Sequence, residues 1–346
     1  MAQIDKPSLH FNTVLWDGNN SSTTHTVGFQ PDFSWIKQRE DDGYSHMLFD
    51  AIRGATKYIS SNEQNAEATD SQTLTAFTGT GFTVGTSNLV NRSGDTYVGW
   101  NWKAGTGQGS ANTDGSINTT YTSVNTTAGI SICQYTGTGS NGTIGHGLGA
   151  VPKFIMIKET NQGGRSWRVY HKDLGNTQLM YLNTNGAPSS DTTAWNSTTP
   201  TSSVFSVGTS GGVNASGSTY IAYVFADVQG FSKIGGSYIG NGSSDGPFIW
   251  TNGMKPSWVM IKKSSSSDPW VIFDNKRAPY NYFDKLIYPD SNEAESGAAE
   301  RGDFLSNGIK LRSNHTFFNG SGITYTYTAF AEAPFVNSKG VPCNAK

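Results

Sequence analysis

The chain is poor in most of the features that announce a function. It has two cysteines in 346 residues, too few for a disulfide framework. Only 14% of its residues are charged and the net charge is −2, so it has no basic footprint for nucleic acid or for an anionic membrane. No apolar run approaches the length of a membrane span, and the opening "MAQIDKPSLH" has no signal-peptide core, so synthesis in a cytosol is expected. Six scattered histidines show no metal-ligand spacing, and no Asp-x-Asp-x-Asp calcium loop occurs. No metal, cofactor or catalytic residue is therefore expected.

In their place stand 41 glycines, many Ser, Thr and Asn, and 18 Phe, 15 Tyr and 9 Trp. Aromatic and β-branched residues interleaved with turn formers are the composition of an all-β protein with many tight connections. The chain is also repetitive. "NRSGDTYVGW" (91–100), "NASGSTYIAY" (214–223) and "NGSGITYTYT" (319–328) share the frame Asn-x-Ser-Gly-x-Thr-Tyr. Upstream, Pro31, Pro152 and Pro256 are each followed six positions on by Lys37, Lys158 and Lys262. "MLFD" (47–50), "RVYH" (168–171) and "VIFD" (271–274) align between these anchors, and "LWDGNN", "QYTGTG" and "SYIGNG" align at the starts. The period is about 105 residues, the size of a small domain rather than of a solenoid repeat.

These patterns predict three tandem antiparallel, jelly-roll-like β-sandwiches: repeat 1 over 8–105, repeat 2 over 129–229 and repeat 3 over 230–333. The Gly/Ser/Thr/Asn-rich segment 106–128 reads as a linker or a strap across a neighbour, and 334–346 as a C-terminal tail. The repeated turn is read as structural. Asn91, Asn214 and Asn319 are expected to bond their own backbone. Gly94, Gly217 and Gly322 supply a positive φ, and Tyr97, Tyr220 and Tyr325 enter a central strand. Five residues on, Trp102, Phe225 and Phe330 fall on the opposite face, against a neighbour.

Several motifs tempt toward chemistry. "GTSGG" (208–212) matches a nucleophile elbow around Ser210, but the chain runs straight into the repeated turn, and the first copy has "GTSNL" there. "GTGSNG" (137–142) lacks the helix of a dinucleotide site. "RGD" (301–303) and the acidic groups Glu40–Asp42 and Glu293–Glu300 read as incidental or solvated, and Cys133 as a small buried hydrophobe. "SNEAESGAAERGDF" (291–304) is a helix candidate or a loop. Trp167 and Trp270 follow polar loops, which makes them candidate glycan contacts beside the alternative of core packing.

The segments "NTDGSINTTYTSVNTTAGISICQYTGTGSNGTIGHGLGAVPKFIMIK" and "ITYTYTAFAEAPF", most specifically within 112–335, resemble a repeat domain of bacteriophage proteins. That domain is frequent in phages of marine bacteria, including T7-like cyanophages, and its proteins are described as virion structural or tail-fibre proteins. The resemblance implies a non-enzymatic virion component assembled in the host cytoplasm, placed on the tail or its fibres as an adaptor or knob and able to touch the host surface. A capsid decoration and a glycan-binding module are the alternatives. Other virion proteins, a host surface glycan and a homo-oligomer, a trimer by the symmetry of phage attachment sites, are the expected partners.

Overall fold

The structure, a computed structural model, describes residues 2–297 and 300–344. It is all-β, built from antiparallel sheets. One four-stranded order occurs three times. In the first copy the strands Phe11–Asp17, Thr96–Trp102, Phe33–Gln38 and Met47–Asp50 lie side by side. In the second copy the order is Ile130–Thr136, Thr219–Phe225, Phe154–Glu159 and Arg168–His171. In the third it is Ser232–Ile239, Thr324–Pro334, Met254–Lys263 and Val271–Asp274. The strand that follows each repeated turn is an inner one, paired on both sides, and it carries large side chains on both faces. Smaller sheets cover one face of each: Thr23–Thr26, Gly81–Val84 and Leu74–Thr78 in unit 1, Gly142–Gly145 with Val204–Val207 in unit 2, and Phe248–Trp250, Gly308–Leu311 and Gly302–Leu305 in unit 3.

Each unit has its own core between its two sheets, and the outer faces of the three large sheets meet in a fourth, shared core. Three triplets of equivalent residues line its centre: Phe33, Phe154 and Trp258; Trp35, Met156 and Met260; Trp102, Phe225 and Phe330. With Thr328 they enclose a void of only about 10 Å³. Aromatic contacts cross every boundary, with ring centres 4.4 Å apart for Phe33 and Tyr223, 5.7 Å for Trp102 and Trp258, and 6.0 Å for Phe225 and Phe330. Burying rings of this size stabilises by about 2–3 kcal/mol each, so the three units cohere as one body.

Polar contacts run round the same axis in one direction. The Trp167 indole donates to Ser60 O of unit 1 and the Trp270 indole to Tyr181 O of unit 2, both at 2.9 Å. His46 stands at the equivalent place in unit 1. Its Nδ1 accepts from the Trp35 indole, so its Nε2 donates to Tyr288 O of unit 3 at 3.0 Å. Buried lysines repeat the pattern: Lys158 donates to Gln64 O of unit 1 and Lys262 to Asn185 O of unit 2. Every unit holds one neighbour and is held by the other.

The segment 106–128 is a strap, not a free linker. Its residues Thr119–Asn125 form a strand on the edge of Ile130–Thr136, and Ser116 and Ile117 bond Thr143 on the edge of the small sheet of unit 2. The alternating "TTYTSVN" was hidden in a low-complexity stretch. The tail also lies on its own chain, with Asp5 bonded to Ser338 and Gln3 to Val336 O. No helix forms at 291–304, of which 298 and 299 lie outside the described residues. Glu295 is held extended there by Arg39 and Arg277, and Gly302–Leu305 is a strand. Among the described residues the α-helices are single turns, Asn88–Asn91, Gly211–Asn214 and Thr316–Asn319, each ending on the Asn of the repeated turn, and a short 3-10 turn covers Pro7–Leu9.

Candidate functional site

The repeated turn is a staple. Asn91, Asn214 and Asn319 are fully buried, and their side chains do not bond their own turn as expected. Each reaches a loop more than seventy residues away. The Asn91 amide donates to Ser21 O and Gly85 O and accepts from Asn19 N. Asn214 donates to Ser140 O and Gly208 O and accepts from Thr138 N, while Asn319 donates to Ser243 O and Ser313 O and accepts from Asn241 N. Gly94, Gly217 and Gly322 do take positive φ, between 71° and 93°. The tyrosine hydroxyl closes the one-turn helix: Tyr220 accepts from Ala215 N and donates to Gly211 O, both at about 2.7–2.8 Å, and Tyr97 and Tyr325 do the same in their units. The aromatic at the start of each copy stacks on this ring, at 5.2–5.4 Å for Trp16, Tyr135 and Tyr238. These nine residues hold two loops to one strand end.

Trp167 and Trp270 are 0% and 2% exposed, with their indole N–H groups spent on the neighbouring unit, so neither offers a ring face to a sugar. A short helix does follow Ser210, contrary to the sequence reading. The same strand, turn and helix recur in units 1 and 3 with Ser87 and His315 at the corner, so Ser210 is a repeat corner and its hydroxyl sits 3.5 Å from Asp191. Of the tripeptide at 301–303, Arg301 is buried, and Asp303 pairs with Arg312 within the strand region. Glu40 and Asp42 are exposed as expected of a solvated tip, and Asp42 also accepts from Ala294 N across the junction of units 1 and 3. Cys133 is buried among apolar groups, which pushes its thiol up to about 11.

Lys37, Lys158 and Lys262 have their pKa lowered to about 8 by burial, yet their ammonium groups are held by backbone carbonyls, which is a structural use. At two junctions a buried ion pair faces a neighbour: Asp50–Arg53 accepts the Tyr223 hydroxyl, and Asp274–Arg277 accepts the Trp100 indole. Unit 2 has His171 at this position, kept neutral because burial takes its pKa down to about 4.

The junction of units 2 and 3 differs in a second way, in the side chains that border it. An open cleft of about 470 Å³ lies there, bordered by Asn183 and Asn185 of unit 2 and by Tyr288, Asp290, Glu293 and Phe317 of unit 3. Asp290 accepts from Trp270 N at 3.1 Å. In the other units the same bond is made by neutral amides, Asn62 to His46 N and Asn183 to Trp167 N, both at 3.0 Å. Those amides also donate to Ser45 and Ser166, where unit 3 has Pro269. Burial raises the Asp290 carboxyl to about 7 despite Lys262 nearby. A carboxyl poised near neutrality in a polar cleft is the strongest chemical feature of the molecule. Its sequence signal was an acid in a column of amides, "SSNEQ", "YLNTN" and "YPDSN". Among the described residues no group of three or more His, Cys, Asp or Glu could hold a metal, and no helix is long and apolar enough to cross a membrane.

A family model described as "Domain of unknown function (DUF7483)" matches residues 6–334, spanning all three units and their strap. No curated protein and no solved structure matches the chain.

Proposed function

The chain belongs to the DUF7483 family, and from that premise we propose that it is a non-enzymatic structural component of a bacteriophage particle, an adaptor or knob on the tail or its fibres. The observation that carries this reading is the closed ring of contacts around a shared aromatic core, which makes three sandwiches into one stiff body. Stiffness and wide outer surfaces suit a part that positions other parts. Buried polar groups serve that ring: Lys158 and Lys262 clamp a neighbour's carbonyl, His46 bridges two units, and the Asp–Arg pairs take a neighbour's donor. The resemblance of 112–335 to phage repeat domains supplies the setting. A homo-oligomer, a trimer by the symmetry of such attachment sites, belongs to the same proposal and is read by light scattering.

Mass spectrometry of purified phage particles, with a reconstruction of them, tests it. The expected result is the chain in the particle, with three sandwiches about one axis in density on the tail or fibre. Its absence from the particle overturns the proposal, and density on the head moves it to a capsid decoration.

A further inference from the structure

Unit 3 exposes what its two siblings do not. In its small sheet Phe248 and Trp250 point to solvent from the same strand face, 45% and 53% exposed, while Ile249 between them is buried. The corresponding strands carry Thr23–Thr26 in unit 1 and Gly142–Gly145 in unit 2, the latter crossed by the strap. Beside Trp250 the edge strand Ser232–Ile239 breaks register between Lys233 and Gly236, a bulge absent from the two equivalent strands. Both bulge glycines are needed for close approach. A Cβ on Gly235 would stand 3.0 Å from Lys153 Cβ and 3.1 Å from Lys172 Cγ, and one on Gly236 would stand 2.3 Å from the Tyr327 ring. Tyr327 occupies a column held by Gly99 and Ala222 in the other units, and its hydroxyl bonds Trp250 O. The bulge, the tyrosine and the two bare rings together shape a shallow cleft of about 440 Å³.

The rim of this cleft is polar and its charge is unbalanced. Lys172 and Lys233 line it against Asp173, two cations to one carboxylate, with the Lys153–Asp227 pair behind them, in a chain whose net charge is −2. Lys153 bonds Asp227 at 2.5 Å, Lys233 stands 3.8 Å from the same carboxylate, and Lys172 pairs with Asp173. Both carboxylates lie close enough to Tyr327 to raise its phenol further above its ordinary value.

We propose that this cleft binds an acidic oligosaccharide, with Trp250 and Phe248 as the stacking platform and Lys172 and Lys233 as the contacts to the sugar's carboxylate or sulfate groups. The apolar C–H face of a pyranose fits an exposed ring, and the surrounding hydroxyls and anionic substituents need a polar, net-positive rim. The cleft volume is that of a small-ligand site. An apolar protein segment would cover the rings and leave the lysine side unmatched. The inference holds wherever the chain resides, so its failure and that of the virion reading are separate.

Calorimetric titration of the full chain with an oligogalacturonate, and with a neutral cello-oligosaccharide of equal length, tests it. The uronate is expected to bind and the neutral sugar to bind at least about tenfold more weakly, with uronate affinity falling as salt is added. Trp250→Ala and Lys233→Gln are each expected to weaken uronate binding about tenfold. Trp250 is exposed and serves the fold through its backbone, which alanine keeps, so the melting temperature of Trp250→Ala should stay at the wild-type value. Lys233→Gln, which keeps the platform, serves as the second reading if Trp250→Ala melts early. Absence of uronate binding, equal binding of both sugars, or unchanged affinity in both variants overturns the proposal.

Discussion

Units 2 and 3 share a strand order, a staple and a place in the ring, yet they finish their outer surfaces in opposite ways. Unit 2 closes the two places that unit 3 leaves open. Its guanidinium of Arg168 packs into the space a Cβ on Gly212 would need and lies 4.6 Å over the Tyr181 ring, and its small sheet is strapped by 106–128. Unit 3 puts Phe317 where unit 2 has Gly212 and Asp290 where unit 2 has Asn183, and a cleft remains. It also leaves Phe248 and Trp250 bare. At the shared axis all three copies place aromatic or Met side chains at equivalent positions, because one centre has to be filled from three sides. The outer faces have no common centre to fill, and the differences between units 2 and 3 lie there.

The largest test of that division is the axis itself. Trp102→Ala should destabilise the whole molecule by about 4 kcal/mol, the range for removing a buried indole. Urea unfolding should stay a single transition moved to lower denaturant. Two separated transitions, with only unit 1 affected, would show that the units do not share a core.

Next comes the acid that marks unit 3. Asp290 has its carboxyl raised to about 7 in the folded chain, above its unfolded value. The folded state therefore holds a proton the unfolded state has lost, and stability from this group is full at low pH and falls as pH rises toward 7. Asp290→Asn makes unit 3 resemble units 1 and 2. It should stabilise by about 3 kcal/mol at pH 8 and leave stability near wild type at about pH 4. An equal effect at both pH values would remove the buried-acid account.

The staple is a smaller and more even effect. Asn214→Ala should cost about 2 kcal/mol, because it strips two buried carbonyls and a loop N–H of their partner. Asn91→Ala and Asn319→Ala should cost the same within about 1 kcal/mol, since the bonds are the same in each unit. A staple that matters in one unit alone would break the equivalence. Smallest of all, Ser210→Ala should change thermal stability by less than about 0.5 kcal/mol, as expected of a half-buried corner hydroxyl with one weak contact.

The sequence made the strands, the turns and the threefold repetition legible because these leave periodic marks: alternation, a Pro six places before a Lys, a Tyr at a fixed offset from an Asn. It did not disclose what Asn214 bonds, since Ser140 is distant in the chain and only the fold brings it near. For Trp167 and Trp270 the choice between sugar contact and core packing stayed open for a similar reason. A polar loop before an indole says nothing of the unit that will cover it. The strand Thr119–Asn125 was lost among Thr and Asn, whose abundance masked its alternation. Asp290 and Tyr327 were visible only as exceptions in otherwise amide or small columns, a signal that gains meaning once the columns are known to face a junction.

A ring in which each member gives to the next and takes from the last can be counted. His46 needs Tyr288, Trp167 needs Ser60 and Trp270 needs Tyr181. A chain of two such units would end with a donor and an acceptor buried against nothing. A fourth would have to pry apart a centre already filled by nine aromatic and Met side chains. Three units thus close this ring of hydrogen bonds, each donor finding its acceptor on the next unit.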